Sequence, residues 1–121
     1  MPIEKLQVDR SVGAREGESV LRCVGPLIME TLFAFQNAII KETAAALIID
    51  MTEVPRIDSA GLASLVQAYV SSRGAGRRLA LIGVNQRISA LLQMTKLERF
   101  FPIFESRGEA EQSVSQAQAA P

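Results

Sequence analysis

Histidine and tryptophan are absent from this 121-residue sequence, cysteine occurs once, and aromatic side chains make up only 5% of it. Without histidine the chain cannot build a Ser-His-Asp triad, a Cys-His pair or an imidazole metal site. Its one cysteine, Cys23, can form no internal disulfide and no thiolate zinc site, so nothing marks an oxidising compartment. These absences exclude several common classes of hydrolase and metalloprotein.

Charge is balanced over the whole chain but not along it. Thirteen basic and thirteen acidic side chains give a net charge of zero, which excludes a generally basic nucleic-acid binder and predicts no direct DNA binding. Residues 73–99 hold six basic side chains against one acidic, whereas residues 30–58 hold two basic against five acidic. The sequence is therefore polarised along its length.

Neither a membrane span nor a secretion signal is indicated. No apolar run reaches the ~20 residues that a spanning helix needs. The start, Met-Pro-Ile-Glu-Lys, lacks the basic-then-apolar form of a secretory signal. We therefore expect a cytoplasmic protein that does not insert into a membrane.

Hydrophobic periodicity predicts strands and helices in alternation. Two continuous apolar runs, at 45–49 and 79–82, are typical of central strands buried on both faces. The order indicates an α/β fold, with a mixed, mostly parallel sheet of four to five strands, three to four helices and an antiparallel N-terminal edge. In chain order the pattern predicts a strand or hairpin arm at 3–12, a strand at 20–24, a helix at 29–42, a strand at 45–49, a loop at 51–58, a helix from Ser59 stopped by Gly74 and Gly76, a strand at 79–82, a helix capped by Asn85, and a strand at 100–104.

The length fits a single domain, which we place at residues 1–108. After Glu105 the composition shifts to glutamine, alanine, serine and glutamate. Such a segment has little apolar surface to bury, and the sequence predicts a disordered tail over 109–121.

The dipeptide Asp58-Ser59 stands where a helix should begin. Asp58 as N-cap would put Ser59 at the first helical position, with its hydroxyl near free backbone N–H groups and the positive end of the helix dipole. A phosphate there would add about −1.5 to −2 charge, which a helix N-terminus tolerates well. Gly61 leaves room for another backbone or a phosphate to approach. The alternative is that Asp58 and Ser59 only cap a helix.

The helix that follows carries no charged residue from Ser59 to Ser72. Its buried face is predicted from Leu62, Leu65, Val66, Tyr69 and Val70. Solvent-facing helices usually carry charges, so a small, neutral outer face favours a contact surface or cover by another part of the chain. That outer face is predicted to consist of Ala63, Ser64, Gln67 and Ser71.

The stretch from Leu47 to Leu62, with Gly83 and the helix at 88–97, resembles the STAS domain of bacterial anti-sigma factor antagonists. The resemblance covers roughly residues 3–105, and the Asp-Ser-Ala-Gly-Leu pentapeptide at 58–62 is similar to the family's phosphorylation signature. It implies a STAS fold. The family usually has glycine where this chain has Lys96, and a left-handed conformation there would cost lysine about 1 kcal/mol.

The resemblance also implies a function. Ser59 is the expected phosphoacceptor, and the expected partner is an anti-sigma factor that is also a serine kinase and itself binds ATP and Mg²⁺. Unphosphorylated protein would bind this partner and free a sigma factor, and a phosphoserine phosphatase would restore that form. The chain is expected to be no enzyme and to hold no cofactor or metal. The expected partner-binding residues are Asp58, Ser59, Ala60, Gly61, Ala63, Ser64 and Gln67.

Two further possibilities stay open, and two are rejected. STAS domains also serve as non-switching subunits of stress-signalling scaffolds or of lipid-trafficking transporters, and Phe33 and Phe35 leave a homodimer possible. A phosphate-accepting receiver domain is rejected because residues 20–28 offer no second carboxylate for Mg²⁺. Residues 74–78, Gly-Ala-Gly-Arg-Arg, follow a helix and lack the Lys-Ser/Thr of a nucleotide loop, so they are interpreted as a helix stop.

Overall fold

In the computed structural model, residues 4–119 are described, the last six of them by their backbone alone. The predicted alternation of strands and helices is present, with one further helix at the end. The elements, in chain order, are β1 (Gln7–Val12), β2 (Glu18–Val24), α1 (Leu32–Lys41), β3 (Ala46–Glu53), α2 (Ser59–Gly74), β4 (Arg78–Ile82), α3 (Gln86–Met94), β5 (Ile103–Phe104) and α4 (Arg107–Ala119).

The strands form one five-stranded sheet in the order β1-β2-β3-β4-β5. β1 pairs with β2 antiparallel, from Gln7 opposite Val24 to Val12 opposite Ser19. The other three pairings are parallel. The predicted mixed, mostly parallel α/β fold with an antiparallel N-terminal edge is therefore confirmed.

One face of the sheet carries the larger core. Side chains that point to this face from the central strands, such as Leu47, Ile49 and Leu81, pack with α1, α2 and α3. Phe35 of α1 and Leu65 of α2 have no exposed surface. Alternation along each strand sends every second residue to this layer, which explains why both central strands are apolar throughout.

The opposite face has a smaller core, and α4 covers it. Val20, Ile48, Ala80 and Ile82 form this layer together with Ala110 of α4. The folded unit therefore extends past residue 108. This differs from the predicted tail, because 107–119 is helical and Ala110 is fully buried. Composition alone did not indicate that this polar segment packs on the sheet. Residues 120–121 of the predicted tail lie outside the described residues.

The loop predicted at 51–58 is shorter than expected because β3 continues to Glu53. Met51 and Val54 are both buried, so the apolar pattern runs on past the charged Asp50. Gly83, with φ +72°, lies against this extension, and a Cβ atom there would come within 2.1 Å of Thr52 Oγ1. The connection between β3 and α2 is therefore limited to residues 54–58.

At the amino end of the sheet, Glu42 organises a buried polar network. Its carboxylate accepts hydrogen bonds from Arg10 Nε at 2.9 Å, from the Ser19 hydroxyl at 3.0 Å, and from the N–H groups of Thr43 and Ala44. Burial alone would raise the pKa of Glu42, but the hydrogen bonds from Arg10, Ala44 and Ser19 outweigh burial and lower it to about 2. This network fixes the end of α1 to the first hairpin.

Helix α3 ends in a left-handed turn at Lys96, the conformation whose cost for lysine was considered from the sequence. Lys96 has φ +60° and is the one non-glycine with positive φ among the described residues. Its N–H donates to Gln93 O, and the next N–H, of Leu97, donates to Leu92 O at 2.8 Å. These bonds satisfy the last carbonyls of the helix, as glycine usually does in this position.

Candidate functional site

The candidate site lies at the carboxyl end of the parallel strands. Three segments meet there: the β2–α1 connection at 25–31, the β3–α2 connection at 54–58, and the β4–α3 connection at 83–85. The first two are joined by a parallel bridge between Leu27 and Ile57 and by a hydrogen bond from Leu27 N–H to Arg56 O at 3.1 Å. In open α/β sheets this edge is the usual place for function.

Asp58 is the N-cap of α2, as predicted, and it also connects two segments. Its Oδ1 accepts the N–H of Gly61 at 2.8 Å, which satisfies a free donor of the first helical turn. Its Oδ2 accepts the N–H of Met29 at 3.0 Å, from the β2–α1 connection. The hydrogen bonds from Gly61 and then Met29 lower the pKa of Asp58, so it is a carboxylate at neutral pH. Because both of its oxygens accept hydrogen bonds, Asp58 holds the start of α2 against the β2–α1 connection.

Ser59 occupies the first position of α2, where the sequence placed it. Its side chain is exposed to solvent. Within residues 4–113, whose side chains are described, no group hydrogen-bonds to the Ser59 hydroxyl. The hydroxyl is therefore open to an incoming group, next to the free N–H donors and positive dipole end of a sixteen-residue helix.

Gly61 is buried rather than presented to solvent. A Cβ atom at this position would come within 1.9 Å of the carbonyl oxygen of Leu27. The expected close approach is therefore made by this chain's own backbone. Gly61 cannot offer a side-chain contact to a partner, and its role is to let α2 begin directly against the β2–α1 connection.

Asn85 braces the remaining segment. Its Oδ1 accepts the N–H of Ile88 at 2.9 Å, which confirms the predicted cap of α3. Its Nδ2 donates to the carbonyls of Val54 and Pro55, at 3.2 and 3.1 Å. The segment leading to Asp58 is thereby held by α3 on one side while Asp58 holds the β2–α1 connection on the other.

The outer face of α2 differs in part from the prediction. Ser59, Ala63 and Gln67 are exposed, as expected, and Ala60 is partly buried. Ser64 is buried, with its hydroxyl donating to Gly61 O at 2.7 Å, so it supports the helix from behind. Val70, predicted to be buried, is 61% exposed. Because α2 buries Ser64 and exposes Val70, its buried face does not follow the regular apolar spacing from which these positions were assigned.

Sequence reasoning missed an apolar strip on α1 and just before it. The side chains of Met29, Phe33 and Ile40 are exposed, at 68%, 69% and 79%. Met29 is tied to the site by its N–H bond to Asp58. Phe33 and Ile40 both lie on α1 and are seven residues apart, which puts them on the same face of the helix. Of the two phenylalanines considered for a dimer, Phe33 is exposed and Phe35 is fully buried.

Cys23 and the acidic side chains form no second reactive or metal-binding centre in the described residues. Cys23 is buried, and burial, followed by the charge of Asp50, raises the pKa of its thiol to about 12. Over residues 4–119 no group of three or more histidine, cysteine, aspartate or glutamate side chains could hold a metal ion. No helix in the same part of the chain is long and apolar enough to cross a bilayer.

The fold has counterparts among known proteins. The STAS domain family matches residues 7–110. The anti-sigma-B factor antagonist of Listeria monocytogenes is 36% identical over 84 residues, which are 69% of this chain and 70% of the relative. The chain therefore belongs to the STAS domain family. Within it, the anti-sigma-B factor antagonist of Listeria innocua matches this chain to the same extent as the protein from Listeria monocytogenes.

Solved structures share the fold. An anti-sigma factor antagonist from Mycobacterium paratuberculosis superposes with a TM-score of 0.77 at 24% identity, over 90% of this chain and 95% of that one. The phosphorylated form of the Bacillus cell fate determinant SpoIIAA superposes with a TM-score of 0.66 at 13% identity, over 88% of this chain and 99% of that one. At these identities the likeness concerns the fold.

Proposed function

We propose that this protein is a phosphorylation-switched antagonist of an anti-sigma factor that is also a serine kinase. In the cytoplasm, the form with a free Ser59 hydroxyl binds that partner and so frees a sigma factor. Phosphorylation of Ser59 ends the binding, and a phosphoserine phosphatase restores it. The observation that carries the proposal is the exposed, unbonded Ser59 hydroxyl at the start of an uncharged helix face.

The phosphoryl transfer needs little from this chain. The γ-phosphoryl group of ATP passes to Ser59 Oγ, the hydroxyl proton goes to a base of the kinase, and ADP leaves. Asp58 is a poor candidate for that base, because both of its oxygens accept backbone N–H groups and its pKa is lowered. This chain contributes by holding Ser59 in place for the kinase, at the start of a helix that Asp58 and Gly61 fix.

A phosphate at Ser59 would act locally. The domain accepts it, since the N-terminus of α2 supplies N–H donors and a favourable dipole. A partner packed on Ser59, Ala63 and Gln67 does not tolerate the phosphate. Its nearly two negative charges would have to lose their bound water in an uncharged contact. A penalty of several kcal/mol suffices to abolish a complex of micromolar affinity.

The contact surface we propose differs from the sequence-based set in its membership. Ser59, Ala63 and Gln67 contribute directly, with Ala60 and Asp58 at the margin, and Met29 extends the surface toward α1. Gly61 and Ser64 are buried beneath this surface, and their contacts fix the first turn of α2 that carries it. The names of the Listeria relatives and the phosphorylated Bacillus structure support both the partner class and the modification.

The test is the affinity of the kinase-type anti-sigma factor for three forms of the full chain. Wild type and Ser59→Ala should bind with similar affinity, whereas Ser59→Asp should bind at least about 100-fold more weakly because a charge must be desolvated. Gln112→Asp is the control, since Gln112 is exposed on α4, on the opposite face of the sheet from α2. Equal binding of Ser59→Asp and wild type would contradict the switch and favour a non-switching subunit.

A further inference from the structure

The basic loop that the sequence interpretation set aside as a helix stop lines a cavity. At the far end of α2 from Ser59, roughly 20 Å away along the helix, a cavity of about 280 Å³ opens between the end of α2, the start of β4 and the segment before β5. Its walls include Tyr69, Ser72, Arg73, Arg77, Arg78 and Phe100. No carboxylate of the described residues lines this cavity.

Two of its three arginines are held in place by other groups. Arg77 donates from Nε to Ala44 O at 2.8 Å and from Nη2 to Glu42 O. Arg73 donates to the Tyr69 hydroxyl at 3.1 Å, and its guanidinium lies over the Tyr69 ring. A guanidinium has five N–H donors, so both retain donors for a ligand, and their acceptors are neutral groups that leave the positive charges uncompensated.

The third arginine and a buried hydroxyl have no side-chain partner within residues 4–113. Among the described residues, the side chain of Arg78 makes neither an ion pair nor a side-chain hydrogen bond. Ser72 is 1% exposed, and its hydroxyl has no hydrogen-bond partner within the described part of the chain. Buried hydroxyls are normally hydrogen-bonded, and this one lies in the wall of the cavity, where a ligand oxygen can accept its hydrogen bond.

The rest of the wall is aromatic. The rings of Tyr69 and Phe100 lie 5.8 Å apart, tilted by 45°, on one side of the cavity. Such a surface suits a planar apolar group. Three cationic side chains without a carboxylate favour a dianion over a singly charged carboxylate, and guanidinium groups match the geometry of phosphate oxygens.

We propose that this cavity binds a small aromatic phosphate monoester. The phosphate takes the guanidinium groups of Arg73 and Arg78 and the hydroxyl of Ser72, and the ring lies against Tyr69 and Phe100. The site is separate from the Ser59 surface and does not depend on the function proposed for it. The protein binds such a phosphate monoester without breaking any of its bonds.

Phenyl phosphate titrated into the full chain, followed by calorimetry and amide NMR shifts, tests this site. We expect a Kd on the order of 0.1–1 mM. Inorganic phosphate and phenol, which carry one half of the ligand each, should bind at least about 10-fold more weakly. The largest shifts should fall on 72–78 and on the amide of Phe100.

Matched variants separate a built site from general attraction to arginine. Arg78→Gln should weaken phenyl phosphate at least about 10-fold, while Arg87→Gln, which removes an exposed arginine of α3, should leave the Kd unchanged. Phe100→Leu should weaken phenyl phosphate and spare inorganic phosphate. Thermal unfolding of each variant shows that it is folded. No binding at 5 mM (about five times the weakest expected Kd), equal losses in the two arginine variants, or shifts centred on Ser59 would each overturn the proposal.

Discussion

The two ends of the sheet use their polar groups in different ways. At the amino end, the carboxylate of Glu42 is surrounded by donors from Arg10, Ser19 and two backbone N–H groups, and none of it reaches solvent. At the carboxyl end, Asp58 is equally occupied, but the Ser59 hydroxyl beside it is left open. Glu42 is therefore used within the fold, whereas the positioned Ser59 hydroxyl stays available for the switch that we propose.

The largest expected effect lies at the amino end. Glu42→Ala leaves Arg10, Ser19 and two N–H groups without their acceptor, and it should lower the free energy of unfolding by about 3 kcal/mol, measured by urea denaturation. Affinity for the anti-sigma factor, per folded molecule, should not change. Glu98→Ala, at an exposed position, is the control and should have little effect.

The same network predicts an acid limit. Because the pKa of Glu42 is lowered to about 2 in the folded protein, its contribution is complete above pH about 4.5 and is lost as the pH falls toward 2. The stability of Glu42→Ala should therefore depend less on pH in this range. A parallel acid decline in both proteins would show that Glu42 does not carry the effect.

The second effect breaks the connection at the carboxyl end. Asp58→Ala removes the acceptor of both Gly61 and Met29 and should lower Tm by several degrees and weaken the anti-sigma factor complex. Asp58→Asn keeps an oxygen for the helix cap but turns an amide toward Met29. It should keep most of the Tm yet speed hydrogen exchange at the amide of Met29. If the two variants exchange alike at that amide and bind the partner as wild type does, the connection has no role in binding.

A smaller effect is expected where α3 ends. Lys96 has φ +60°, a conformation that costs a non-glycine residue about 1 kcal/mol. Lys96→Gly should therefore stabilise the protein by up to about 1 kcal/mol in urea denaturation, reduced by the greater freedom of glycine in the unfolded chain. Lys96→Ala, which removes the charge but keeps the strain, should not stabilise it. A gain in the alanine variant would assign the effect to charge.

The smallest effect concerns Glu18, beneath α4. Both carboxylate oxygens are buried without a hydrogen bond in the described part of the chain. Burial and then Glu111 raise the pKa of Glu18, against a lowering by Arg15 and Arg107. A raised pKa means that stability is full below the unfolded value and falls as the pH rises through the folded one. Glu18→Gln should remove this loss and raise Tm slightly at pH 7, with Glu16→Gln, at an exposed position, as the unaffected control.

Local sequence rules predicted the elements whose signals are local. The apolar runs gave β3 and β4, and Asp58 and Asn85 were recognised as caps because a cap needs only the next three residues. Val70 and Ser64 were assigned to the wrong faces of α2. Ser64 is buried because it lies, with Ala68, on the side of α2 that faces α1. Helix α4 was not predicted because it packs on a face of the sheet whose residues are distant from it in the sequence.

The site was predictable in its central residue and not in its surroundings. Ser59 and Asp58 follow from a helix start, whereas Met29 lies twenty-nine residues before Asp58 and reaches it only through the parallel pairing of the sheet. Gly61 was recognised as a close approach, but which backbone approaches it could not be read from composition or spacing. Contacts across the sheet edge are set by tertiary packing, which a periodicity argument does not contain.

The most direct test of the central claim is the position of the phosphate. The full chain is incubated with its kinase-type anti-sigma factor and ATP, and the modified residue is located by mass spectrometry of the digested protein, with Ser59→Ala treated in parallel. We predict one phosphate on Ser59, none on the variant, and loss of the complex as phosphorylation proceeds. Phosphate on another residue, or a phosphorylated Ser59 that still binds the partner as tightly as before, would contradict this account.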